Sequence, residues 1–175
     1  MKIRNRLICL VVTLIMVMSA AVPVCAESYS NNKHWKVEFT KDKKMVSNFN
    51  SKEIANLFTD AQPGDTVTVN VDQVNSYSKE TNWYMDNKVL SSLEEGCVAH
   101  GGAYEYELTY TNPAGVTTVL YDSKQVGGEK NQSAGVGLHE ATDSLEEWFF
   151  MDKLAPGAKS TVTLRTKLEG DTQGN

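Results

Sequence analysis

Cysteine is scarce in this chain. Of 175 residues only Cys9, Cys25 and Cys97 carry a thiol, and the first two fall in an N-terminal stretch that reads as a removable leader. The body would then keep one thiol, which cannot close an internal disulfide, so its apolar core has to hold it together unaided. Beyond residue 26 no long apolar run exists, so no membrane insertion is expected after the leader is cleaved. Basic charge is also short, with 17 Lys and Arg against 22 Asp and Glu for a net charge of −5. Such an acidic body argues against nucleic acid or an anionic membrane as partner. The glycines follow neither a GxGxxG nor a P-loop spacing, and no low-complexity tract divides the chain.

Residues 1–26 read as a secretory signal peptide. Lys2, Arg4 and Arg6 form a basic start, residues 7–18 are almost wholly apolar, and Val24-Cys25-Ala26 offers small residues before a cleavage point. A retained anchor is the alternative, but the small residues and the polar stretch from Glu27 favour cleavage. Cys25 invites a lipoprotein reading, which Pro23-Val24 in front of it fits poorly. Cleavage after Ala26 leaves 149 of the 175 residues and lowers the net charge from −5 to −8, because three basic residues leave and no acid does. That length suits one domain. Residues 27–33 read as a flexible polar leader, and residues 34–175 as a single domain.

One strand opening is written twice within it. Ala61-Gln62-Pro63-Gly64-Asp65-Thr66-Val67-Thr68-Val69 returns as Ala155-Pro156-Gly157-Ala158-Lys159-Ser160-Thr161-Val162-Thr163-Leu164. Pro fixes its φ and Gly accepts a positive one, so each Pro-Gly supplies a tight turn. The alternation that follows puts Val67, Val69 and Val71 on one face with threonines on the other, and Val162, Leu164 and Leu168 repeat the pattern. The copies suit two corresponding edges of one sandwich. Trp35, Val37 and Phe39 share a face of a strand over 34–40, and a charged turn and a short strand follow over 41–49. Ser51 is expected to cap a brief helix that buries Ile54, Leu57 and Phe58. Residues 104–110 alternate cleanly and return through Asn112-Pro113-Ala114-Gly115 as a hairpin over 116–121. Residues 143–154 suit a short helix or a strand. The fold class expected is therefore mainly β, an antiparallel β-sandwich of jelly-roll or immunoglobulin-like type with one or two short helices.

Chemistry is harder to find. Cys97 and His100 are the one thiol–imidazole proximity, with Glu94 and Glu95 just upstream. Catalytic Cys–His pairs are usually distant in sequence, so a small apolar thiol beside a solvated histidine is the plainer reading. His139, Glu140 and Asp143 have metal-ligand composition without zinc spacing. Asp65, Asp72 and Asp171 lack the alternate-position acids of a calcium loop. Tyr104, Tyr106 and Tyr110 could form a carbohydrate platform, but such a stripe is more often the core side of a sheet. The glycine-rich stretch 127–137 has the length of a functional loop. No catalytic, cofactor-binding or metal residue is assigned, and no cofactor is expected.

Taken together, Gln62-Pro63-Gly64-Asp65-Thr66-Val67-Thr68-Val69, Asn75 closing that strand region, Leu154-Ala155-Pro156-Gly157 and the terminal Leu168-Glu169-Gly170-Asp171-Thr172-Gln173-Gly174-Asn175 carry a resemblance. The chain resembles secreted and wall-associated proteins of Gram-positive, clostridia-like bacteria that occur beside pilins and sortases, loosely of the camelysin type. A low cysteine count agrees with such a secretome. The resemblance implies a non-enzymatic cell-surface protein, wall-associated or extracellular, serving assembly or adhesion, with other surface proteins or host ligands as partners. A secreted carbohydrate- or peptide-binding module using residues 127–137 is the alternative, and a cysteine hydrolase built on Cys97 and His100 a third. Relatives of that kind continue beyond the position of Asn175 with a strand and an anchor. The chain is therefore expected to be either a released protein or a fragment without its final strand, and a fragment would self-associate through the open sheet edge.

Overall fold

The computed structural model describes residues 26–31, 34–86, 103–123, 126 and 148–169. The elements in chain order are β1 (Ser28–Ser30), β2 (Trp35–Phe39), β3 (Met45–Ser47), α1 (Ser51–Thr59), β4 (Thr66–Asn75), β5 (Thr81–Asp86), β6 (Tyr104–Thr111), β7 (Thr117–Asp122), β8 (Trp148–Leu154) and β9 (Lys159–Leu168). The fold is mainly β and sandwich-like, with antiparallel pairing dominant. One sheet runs β3-β2-β4-β9-β6-β7 with β1 also on β4, and β5 pairs with β8 in a second. Among the described residues there is one helix.

Both Pro-Gly pairs form four-residue turns closed by a hydrogen bond, Asp65 N to Gln62 O at 2.9 Å and Ala158 N to Ala155 O at 3.0 Å. Gly64 (φ 97°) and Gly157 (φ 76°) take the positive φ of a type II turn. The strands they launch are not two edges. β4 and β9 lie side by side at the centre of the sheet, in antiparallel register from Thr66↔Lys167 to Val74↔Lys159. β9 also pairs with β6, from Tyr104↔Leu168 to Thr111↔Thr161. A strand paired on both sides offers no open edge, so the edge expected after the last strand is not on β9. Among the described residues the main path ends at β3 and β7, and the short β1, paired on one side only, is a further edge.

Cross-strand partners share a face. Val69, Leu164 and Leu108 therefore stand in one row, and Val71, Val162 and Tyr110 in the next. All but the half-buried Val71 are buried, with Trp35, Tyr104 and Tyr106 beside them. Ile54, Leu57 and Phe58 of α1, and Met85 and Met151 of the second sheet, cover this face. The opposite face is polar, and its threonines bond across strands, Thr163 Oγ1 to Asn70 Oδ1 and Thr161 Oγ1 to Asp72 Oδ1, both at 2.8 Å.

The helix begins one residue earlier than expected. Asn50, not Ser51, is the N-cap, accepting from Glu53 N while the Glu53 carboxylate accepts from Asn50 N, a reciprocal capping box. The leader holds structure too: Ser28–Ser30 pairs in parallel with Thr66–Thr68. Farther along β4, β2 takes the same side from Val71 to Asn75. Asn31 bridges the gap, its side-chain amide donating to Asn70 O and accepting from Asn70 N, both at 2.8 Å. That amide imitates one residue of strand. Residues 148–154 are a strand rather than a helix, paired with β5 through a bulge at Trp83/Tyr84.

Candidate ligand groove

At one end of the large sheet the β2–β3 turn, the segment after β4 and the β8–β9 turn meet. They frame an open groove of about 510 Å³ lined by Lys41, Ser76, Tyr77, Ser78, Pro156 and Gly157. Asn75 builds it. This residue is wholly buried, and its side-chain nitrogen donates to Leu154 O at 2.8 Å, Lys79 O at 2.9 Å and Ala155 O at 3.3 Å. Its side-chain oxygen accepts from Tyr77 N at 3.0 Å, and its backbone bonds to Ala158 O and Gly157 N. One amide thus ties the large sheet, the small sheet and both groove walls together.

The Tyr77 ring stands edge-on to Phe39 at 5.6 Å, with the Lys43 ammonium 5.7 Å from its centroid. Ser76 Oγ donates to Glu38 Oε1 at 2.5 Å, and Lys36 Nζ reaches Glu38 Oε2 at 2.7 Å. The Lys36 hydrogen bond, helped by Ser76, holds the Glu38 carboxyl below the usual carboxylate range. A carboxylate made less basic is a poor activator of a serine hydroxyl, so the Ser76–Glu38 contact reads as structural. What the groove can do is stack a flat group on Tyr77 and hydrogen-bond it through two serines and a lysine. By sequence Pro156-Gly157 and Lys41 read only as turn residues and 76–78 carry no signal, because only the fold brings 41, 76–78 and 156–157 together. The one signal was Asn75, a strand-disfavoured residue ending a valine-rich strand.

The other candidates divide into those the structure describes and those outside it. Cys97, His100, Glu94, Glu95, His139, Glu140, Asp143, Asp171, the stretch 127–137 and the leader 1–25 lie outside the described residues. Asp65 and Asp72 are far apart on β4's flank and already engaged. Asp65 accepts from Glu27 N at 2.7 Å and Gln62 N at 2.8 Å, and Asp72 pairs with Lys159 at 2.7 Å. Among the described residues no group of three His, Cys, Asp or Glu is placed to hold a metal ion, and no helix is long and apolar enough to cross a membrane. Tyr104, Tyr106 and Tyr110 are buried core residues rather than a platform.

Tyr110 carries a testable consequence. Its hydroxyl donates to Asp152 Oδ2 at 2.8 Å, joining β6 to β8. Desolvation above all, opposed by a Ser160 hydrogen bond and aided by Asp152, pushes the phenol up from 10.0 to about 12. The folded state therefore favours the neutral phenol. Its contribution to stability is complete below pH 10, the ordinary value, and is lost as pH rises towards about 12. Urea unfolding followed across that range should show this decline, and Tyr110→Phe should lessen it, leaving the part due to the raised Tyr121, while costing about 1 kcal/mol at neutral pH.

No family model, curated protein or solved structure matches the chain.

Proposed function

We propose that this is an exported, non-enzymatic domain of cell-surface assembly or adhesion, which docks other chains by adding a strand at β7. The observation that supports this reading is the character of that edge. β7 is the last strand of the large sheet among the described residues, and it is six residues long against three for β3, the other end. Val119 on it and Val116 just before it are more than half exposed, and no lysine or proline blunts it. Among the described residues its protective devices are a bulge opposite Leu108/Thr109 and the exposed carboxylate of Asp122 at its end. A docked strand would satisfy the outward backbone groups and cover both valines. A second copy of this chain is the simplest occupant, which moves the expected self-association from the last strand to β7.

Light scattering on the exported protein tests this directly. Association should rise with concentration, and Val119→Lys should abolish it without changing the circular dichroism spectrum. A monodisperse monomer at high concentration would remove self-docking as the mode of assembly. The groove favours the second reading, a carbohydrate- or peptide-binding module, with Tyr77 as the stacking surface in place of residues 127–137. Chemical-shift or fluorescence titration with wall oligosaccharides, compared with Tyr77→Ala, distinguishes the two.

A further inference from the structure

Two independent lines meet on one atom, the backbone nitrogen of Glu27. Val24-Cys25-Ala26 places the cleavage point of the leader between Ala26 and Glu27. The fold places that nitrogen 2.7 Å from Oδ1 of Asp65. Asp65 is only 3 % exposed. Its other carboxylate oxygen accepts from Gln62 N at 2.8 Å, and among the described residues no lysine or arginine pairs with it. A carboxylate withdrawn from water with only peptide N–H donors is poorly compensated.

We propose that removal of the leader turns the Glu27 nitrogen into an ammonium that pairs with Asp65, so that processing itself locks β1 onto β4. Hydrolysis breaks the bond between the Ala26 carbonyl carbon and the Glu27 nitrogen. Water supplies a hydroxyl to the carbonyl and a proton to the nitrogen, and the new amine takes the carboxyl proton to give an ammonium and a carboxylate. A full positive charge then replaces a peptide dipole beside Asp65, which strengthens the bond already in place. The site has the surroundings such a lock needs. Ala26 and Glu27 are exposed, so the bond is open to a peptidase. Thr66 N donates to Glu27 O at 2.9 Å, and Leu168 N donates to Asp65 O at 2.8 Å, so the pair sits where β1, β4 and β9 converge. β1 needs a fastening, because it is three residues of parallel edge strand. The ammonium would hold its start as Asn31 holds its end.

The inference rests on the export reading, and the experiment separates the two. The full chain is expressed with its own leader in a secreting Gram-positive host, and the exported product is sequenced from its N-terminus. Glu27 is expected first, and any other start overturns both the cleavage point and the lock. Four exported proteins are then compared by thermal unfolding at neutral pH: the wild type, a variant with one glycine inserted between Ala26 and Glu27, Asp65→Asn, and the two changes combined. The insertion keeps Val24-Cys25-Ala26 before the scissile bond but moves the ammonium one residue away. It should lower Tm by roughly 3–8 °C with Asp65 present, and far less in the Asp65→Asn background. Equal shifts in both backgrounds, or none, overturn the ion pair and leave export standing. Acylation of the α-amine gives a readout that needs no folded Asp65→Asn protein. With each rate normalised to that in urea, the wild-type amine should react about tenfold more slowly than that of the insertion variant. Equal normalised rates overturn the lock.

Discussion

Asn75→Ala is expected to cost about 3–5 kcal/mol, more than any exposed substitution in the groove. The side chain is wholly buried, and it satisfies one backbone N–H and up to three carbonyls across two sheets. Alanine removes every one of these partners together, and each buried group left alone costs about 1–3 kcal/mol unless water reaches it. Asn75→Asp is the sharper variant. It keeps the shape and the bond from Tyr77 N, but turns an oxygen towards the carbonyls of Lys79, Leu154 and Ala155. Repulsion there disfavours the ionised acid, so this variant should be least stable at neutral pH and recover as the carboxyl protonates on acidification. Urea midpoints across pH test both variants. Hydrogen exchange should also show β5 and β8 opening before the centre of β4, since Asn75 fastens the small sheet to the large one. An Asn75→Ala protein within about 1 kcal/mol of wild type would mean that the tether carries little of the stability.

What could be read from the chain beforehand was local. The two Pro-Gly turns, the alternation of Val67, Val69, Val162 and Leu164, and the 104–121 hairpin depend on residues a few positions apart, and all appear in the fold. What escaped was non-local. The alternation shows that β4 and β9 each have a buried face, but nothing in it says that they pair with each other. Ser28–Ser30 reads as a flexible leader in sequence because three polar residues form a strand only when Thr66–Thr68 offers its edge. The same holds for the site. Tyr77 is one tyrosine among seven in the sequence, and it lines a groove only because Asn75 draws the 155–158 turn beside it. By residue type Asp65 suits a calcium ligand, whereas its oxygens serve the backbone of Glu27 and Gln62.

Leu108→Ala should be comparably damaging, for an apolar reason, at about 3–5 kcal/mol. Leu108 is wholly buried and stands in register between Leu164 of β9 and Tyr121 of β7. Leu164 in turn faces Val69 of β4, so the truncation opens a void in the row that crosses the centre of the sheet. The strands around it are held in long register and cannot close in, which puts the cost near the upper end for such a change. Leu108→Met, which nearly conserves volume, should cost under about 1.5 kcal/mol. One residue along, Thr109 lies on the polar face, and Thr109→Ala should cost about 1 kcal/mol or less. The contrast between neighbours tests the register itself, because a one-residue slip of β6 would exchange the faces and reverse the order. Chemical unfolding of the three variants decides it. If Thr109→Ala proved as costly as Leu108→Ala, the pairing of β6 with β9 would have to be redrawn, and with it the placing of β7 at the docking edge.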